Sequence, residues 1–295
     1  MSFSVWINAF RLRTLPLAFS SIITGVACAA WLKWDIILLA LLTTALLQIL
    51  SNLANDLGDT LKGSDNEHRI GPVRAVQSGA ISVKQMKTAV ATTALLSFIS
   101  GVGLLWVAFG GITREFLIFM AFGFAAIFAA ITYTLGKKAY GYYGLGDVFV
   151  FLFFGLLGVT GTFYLIHHSF PSFVFEPAVA IGLLSAGVLN LNNMRDIEND
   201  KNSGKNTLAV KLGAKNAKVY HSFLLIGAFL SLAYTAYRGT SLYLWLFAIG
   251  FIPVFIHLKK VWTIKTPRNF DLELKKLALS TFLISLLFAA GVFWS

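Results

Sequence analysis

Five aspartates stand in two short stretches of this 295-residue chain. The first runs Asn52-Leu-Ala-Asn-Asp-Leu-Gly-Asp-Thr-Leu-Lys-Gly-Ser-Asp65 and the second Asn192-Asn-Met-Arg-Asp-Ile-Glu-Asn-Asp200. Charged residues are only 13% of the chain against 57% hydrophobic, so this concentration of carboxylates calls for a chemical reason. Asp56 and Asp59 are three apart and Asp196 and Asp200 four apart, spacings that put both carboxylates of a pair on one helical face. Like charges stacked this way repel unless a cation lies between them. Mg²⁺ takes hard oxygen ligands and is typically held by one or two carboxylates plus substrate phosphates, which suits two facing pairs bridging a diphosphate. Asn52, Asn55, Asn192 and Asn193 add amide oxygens and donors beside the acids. Lys62, Arg69, Arg74, Lys137, Arg195, Lys201 and Lys205 are the cations available for phosphate oxygens and a leaving pyrophosphate.

The elements that must position these groups are membrane helices. A mean hydropathy of +0.74 with 27 Phe excludes an ordinary soluble domain. Continuous apolar runs recur near 14–32, 36–55, 87–109, 115–134, 147–166, 174–194, 219–237, 241–258 and 277–294, each able to cross a bilayer as a helix. The expected fold is all-α, a single polytopic membrane domain over 1–295 with about nine transmembrane helices. With the N-terminus inside, 21 of the 24 basic residues fall in inside segments, leaving Lys33, Arg114 and Arg238 outside. This asymmetry predicts a cytoplasmic N-terminus, an external C-terminus and both acidic stretches on the cytoplasmic side. The net charge of +11 follows from topology, anionic headgroups and substrate, and needs no nucleic acid. The segments 56–86 and 195–218 are long for connectors and predict short helices capping the site.

Other features are weaker. Cys28 is the only cysteine and excludes an intrachain disulfide. The first run is long enough to be a retained helix rather than a cleaved leader. Gly155, Gly158 and Gly161 recur every three residues, as helix packing requires. Asp147 is expected to cap the fifth span, with a place facing the cavity as the alternative. His68 lies beside the first motif with no stated partner, and the remaining histidines share no ligand spacing with the acids.

The pattern Asn55-Asp56-x-x-Asp59 with Asp196-x-x-x-Asp200-x-x-x-Gly204-x-x-Thr207 resembles the two Asp-rich signatures of the UbiA family of membrane prenyltransferases. Lys62-Gly-Ser-Asp65 with Arg69-Ile-Gly-Pro-Val-Arg74, and Gly204-Lys-Asn-Thr-Leu-Ala-Val-Lys-Leu-Gly213, resemble its naphthoate-prenylating branch in menaquinone synthesis. The general family pattern has a third Asp where this chain has Gly63; the available acid is Asp65, whose ligand role stays open. The resemblance implies helices around a central cavity, with Mg²⁺ at Asp56, Asp59, Asp196 and Asp200. It implies polyprenyl diphosphate as donor and 1,4-dihydroxy-2-naphthoate as acceptor, prenylated with loss of CO₂ in the bacterial plasma membrane. It also implies Tyr133 beside the cation and Lys137, or Lys138, on diphosphate. Another acceptor, 4-hydroxybenzoate or protohaem, is the alternative within the same chemistry. A transporter would carry its acids at mid-span, where this chain has almost none.

Overall fold

The computed structural model describes residues 3–66 and 69–295; His68 lies outside the described residues. These residues form eleven long or short helices, α-helical except for a π-helical stretch over Phe151–Thr160 in the sixth, and no strand. They are α1 Phe3–Phe10, α2 Leu15–Ala29, α3 Trp34–Leu61, α4 Val83–Phe109, α5 Arg114–Thr132 and α6 Gly146–His167. After them come α7 Phe175–Arg195, α8 Ile197–Asn202, α9 Leu208–Arg238, α10 Phe247–Thr263 and α11 Phe270–Phe293. Nine segments among the described residues are long and apolar enough to cross a bilayer, the first comprising α1 and α2. The chain is an integral membrane protein.

Two helices outrun their apolar stretches, and both extensions serve the polar end of the bundle. Helix α3 continues to Leu61, so Asn55, Asp56 and Asp59 sit on its last two turns and not in a following loop. Helix α9 starts at Leu208 and breaks at Gly213, whose φ of 75° and ψ of 163° lie where only glycine is comfortable. Its first turn thus belongs to the cap and the remainder to the span. Of the expected capping helices, α8 and the start of α9 form. The described residues of 62–82 instead make turns, because this segment folds back onto α3 and gives backbone donors to Asp56 and to the Asp59 carbonyl.

Lipid supplies no hydrophobic force between the helices, so close backbone approach and polar pins hold the bundle. A Cβ on Gly155 of α6 would lie 2.6 Å from the Ala178 carbonyl and 2.7 Å from the Gly182 Cα of α7. The glycine pair lets these two helices touch backbone to backbone. Gly158 meets Ser21 of α2, while Gly161 borders the central cavity, so the three-residue glycine run serves packing at its start and space at its end. On the other side of α7, the rings of His221 (α9) and His257 (α10) meet at 3.0 Å, and His257 Nδ1 meets Glu273 (α11) at 2.8 Å. Asp147 makes no capping bond; it is buried and faces Tyr220 of α9.

Candidate active site

Three chain segments bring the two acidic motifs together at the polar end. The end of α3 supplies Asn52, Asn55, Asp56 and Asp59, and the end of α7 with α8 supplies Asn192, Arg195, Asp196 and Asp200. Gly58 stands between Asp56 and Asp59 because the segment after α5 crosses there; a Cβ on it would lie 2.7 Å from Thr134 Cβ. Thr134 Oγ1 then donates to the Ala54 carbonyl at 3.0 Å and the Asn55 side-chain oxygen at 3.3 Å. Asn52 donates to the Phe10 carbonyl and to Thr14 Oγ1, tying α3 to the corner between α1 and α2.

The carboxylates are buried and mostly compensated from within the chain. Asp56 accepts the backbone N–H groups of Ala75 (3.1 Å) and Val76 (3.3 Å). Asp59 takes Arg74 Nη1 at 3.0 Å, Lys205 Nζ at 3.2 Å and the Tyr142 hydroxyl at 2.9 Å. Asp65 lies between Arg69 Nε (3.0 Å) and Arg74 Nε (3.1 Å), contacts whose angles are ionic rather than hydrogen-bonded. Arg195 is committed to Asp196 at 2.5 Å, to Asp271 at 2.5 Å and to Asn192 at 2.9 Å. Unpaired buried charge is costly, and this is how the chain avoids it. Asp200 is the exception: it is 5% exposed and makes no ion pair or side-chain hydrogen bond among the described residues. Burial pushes its carboxyl up to about 7, with Asp196 and Asp59 adding to the rise against Lys205. Burial likewise lifts Asp65 to about 6, opposed by Arg74.

The donor set fits a hard divalent cation in kind: Asp56, Asp59, Asp196 and Asp200 are buried oxygen ligands, and Asp200 is left without a side-chain partner among the described residues. Among the described residues no three acids converge on one point, because Asp59 and Asp196 are turned to their internal cations. A metal would enter by exchange with Arg74, Lys205 and Arg195.

Not every expected residue joins this cluster. Lys137 and Lys138 are exposed, because the chain reverses at Gly136 (φ 88°) after α5 ends and carries them out to solvent. Lys201 is also exposed, on the face of α8 away from Asp200. Conversely, two residues outside the motifs join it. Arg11 sits in a left-handed backbone conformation (φ 49°, ψ 50°) in the charge field of Arg74, Arg69, Asp56 and Asp65. Tyr142, from the segment between α5 and α6, hydrogen-bonds Asp59 directly.

Below the carboxylates lies an apolar cavity of about 380 Å³, bounded by α2 to α6. Asn52, Asn55 and Gln48 line its polar end, and Phe119, Gly123 and Gly161 its far part. Tyr133, Tyr140, Phe149 and Phe153 form a column of rings on its wall, with centroids 5.3, 4.0 and 6.2 Å apart. Tyr133 lines the cavity within the charge field of Asp59 and Asp200.

Both the sequence and the helical bundle have known counterparts. Residues 17–278 match the UbiA prenyltransferase family, and the chain belongs to that family. It is 45% identical to the 1,4-dihydroxy-2-naphthoate octaprenyltransferase of Haemophilus influenzae, over 98% of this chain and 95% of that protein. The enzyme of the same description from Escherichia coli is 44% identical over the same shares. In fold, the chain resembles a UbiA homolog from Archaeoglobus fulgidus bound to DMAPP and Mg²⁺. That TM-score is 0.68 at 16% identity, covering 98% of this chain and 99% of that one. An apo UbiA homolog from Aeropyrum pernix gives a TM-score of 0.69, also at 16% identity, over 96% and 98%.

Proposed function

We propose that the chain transfers a polyprenyl group from polyprenyl diphosphate to 1,4-dihydroxy-2-naphthoate, releasing pyrophosphate and CO₂ in menaquinone synthesis. The observation that carries this reading is the meeting of both acidic motifs at the mouth of an apolar, ring-lined cavity. The named relatives supply the acceptor. The basic residues gather at the end of the bundle that holds the site, which supports a cytoplasmic active site and N-terminus in a bacterial plasma membrane.

Asp56, Asp59, Asp196 and Asp200 would hold Mg²⁺, which when bound neutralises the diphosphate and makes it a better leaving group. Arg74 and Lys205, released from Asp59, turn to phosphate oxygens, and Arg69 and Lys62 are near enough to join them. The prenyl tail enters the cavity, where Tyr133, Tyr140 and Phe149 keep water from the allylic carbon as its C–O bond breaks and present ring faces to the cation. The acceptor's electron-rich ring attacks that carbon through the position that bears the carboxylate. The bonding pair of the departing CO₂ then restores aromaticity, so no side chain has to remove a ring proton.

The test is purified protein in detergent with Mg²⁺ and labelled polyprenyl diphosphate, offered 1,4-dihydroxy-2-naphthoate and 4-hydroxybenzoate separately. Prenylated naphthol with released CO₂, abolished by EDTA and by Asp56→Ala or Asp196→Ala, is the expected result. Product with 4-hydroxybenzoate alone would overturn the acceptor.

A further inference from the structure

Between α5 and α6 the chain folds a tight turn over Tyr140–Tyr143. Gly141 lets this turn lie against Tyr133: a Cβ there would stand 2.7 Å from the Tyr133 carbonyl. The turn throws the side chain of Tyr142 across the polar end of the bundle. Its hydroxyl donates to Asp59 Oδ1 at 2.9 Å, which leaves it free to accept from Ser64 Oγ at 2.6 Å. Its ring lies under two ammonium groups, Lys62 Nζ at 4.0 Å and Lys205 Nζ at 5.3 Å from the centroid. Its carbonyl accepts the Asn206 N–H at 3.1 Å. One residue thus touches the end of α3, the segment after it and the segment after α8.

We infer that Tyr142 is a positioning residue that orients the Asp59 carboxylate toward the metal and holds Lys62 and Lys205 ready for the diphosphate. The inference rests on the metal-diphosphate reading of this site. Its physical basis is the difference between the partners of Asp59. Arg74 and Lys205 neutralise the carboxylate and must leave when a cation arrives. A hydroxyl carries no charge, so it can stay on Asp59 Oδ1 when the carboxylate exchanges its cations, and would fix its orientation as outer hydrogen-bond donors do at metal sites. The ring face does the corresponding work for the lysines. It attracts both ammonium groups without pairing them, so they remain available to phosphate.

The two halves of the residue separate by substitution. Tyr142→Phe removes the hydroxyl and keeps the ring: the Kd for Mg²⁺, read by titration calorimetry with a non-reactive diphosphate present, is expected to rise about tenfold, with donor KM and kcat at saturating Mg²⁺ within about threefold of the parent. Tyr142→Leu removes both, and donor KM rises a further two- to fivefold or so, the range of a lost cation–π contact. Lys62→Met should then cost less in the Leu background than in the parent, since the ring no longer holds the lysine. An unchanged Kd for Mg²⁺ in Tyr142→Phe would overturn the inference, as would identical behaviour of the Phe and Leu variants. Should the Leu variant fail to fold, Tyr142→Trp, which keeps a ring and loses the hydroxyl, must reproduce the Phe phenotype or the inference fails. Asp196→Asn is the control for the underlying reading: if it leaves Mg²⁺ dependence intact, the site itself is misassigned, whatever Tyr142 does.

Discussion

Moving the pH from 6 to 8 should strengthen Mg²⁺ binding about tenfold, and Asp200 is the reason. Its carboxyl is 5% exposed and pushed by burial to about 7 in the metal-free protein. It is then about nine-tenths protonated at pH 6 and about one-tenth at pH 8, and only the carboxylate is a ligand. Binding should release about 0.9 proton at pH 6 and about 0.1 at pH 8. Isothermal titration of the detergent-purified protein with Mg²⁺ and a non-reactive diphosphate reads this, run in two buffers of different ionisation enthalpy. Asp200→Asn should bind more weakly and lose most of the pH dependence. Stability carries the opposite sign. A carboxyl raised above its unfolded value near 3.9 makes the folded, metal-free protein hold more protons between about pH 4 and 7, so stability falls as pH rises through that window. Three units correspond to about 4 kcal/mol as an upper figure, which Mg²⁺ should restore above pH 7. Equal affinity at pH 6 and 8 with no proton release would refute the assignment of Asp200 as a ligand.

Three further outcomes follow from the packing. Gly58→Ala drives a methyl against Thr134 between the two α3 acids and should cost about 1–3 kcal/mol, with lower thermal stability and weakened donor binding measured together. Arg74→Ala and Lys205→Ala should raise donor KM by about tenfold or more, as loss of a charge-assisted phosphate contact does, while Lys137→Ala and Lys201→Ala, both exposed, should change it less than about threefold. Gly161→Phe fills the far part of the cavity and should cut kcat/KM for long polyprenyl donors far more than for geranyl diphosphate, read by competition between the two.

The sequence carried the spans because residues facing lipid must be apolar over some twenty positions, a pattern that no local exception erases. It carried the acids for the converse reason: charge is scarce here, and Asp56, Asp59, Asp196 and Asp200 stand out against that background. The reach of α3 to Leu61 was hidden, since the apolar pattern stops where the helix turns its charges inward. The partners of the acids were hidden too. Lys205 lies 146 residues from the Asp59 it neutralises, and one sequence holds no trace of such pairing. Lys137, by its place in the family pattern, and Lys201, as a basic residue beside the acids, are both offered to phosphate by the sequence, but backbone direction at Gly136 and helical phase in α8 turn them outward. Tyr142 had no signal at all: it is one tyrosine in a chain that is 15% aromatic, and only the turn at Gly141 aims it at Asp59.

The central claim is that both acidic motifs hold one metal-bound diphosphate. The most direct measurement is the structure of the protein with Mn²⁺ and a non-ionising polyprenyl thiodiphosphate, the metal located by its anomalous scattering. The account predicts Mn²⁺ between Asp56 and Asp59 on one side and Asp196 and Asp200 on the other, with the diphosphate against Arg74 and Lys205 and the tail along the Tyr140–Phe149 wall. Metal bound by one motif alone, or a diphosphate away from both, would contradict it.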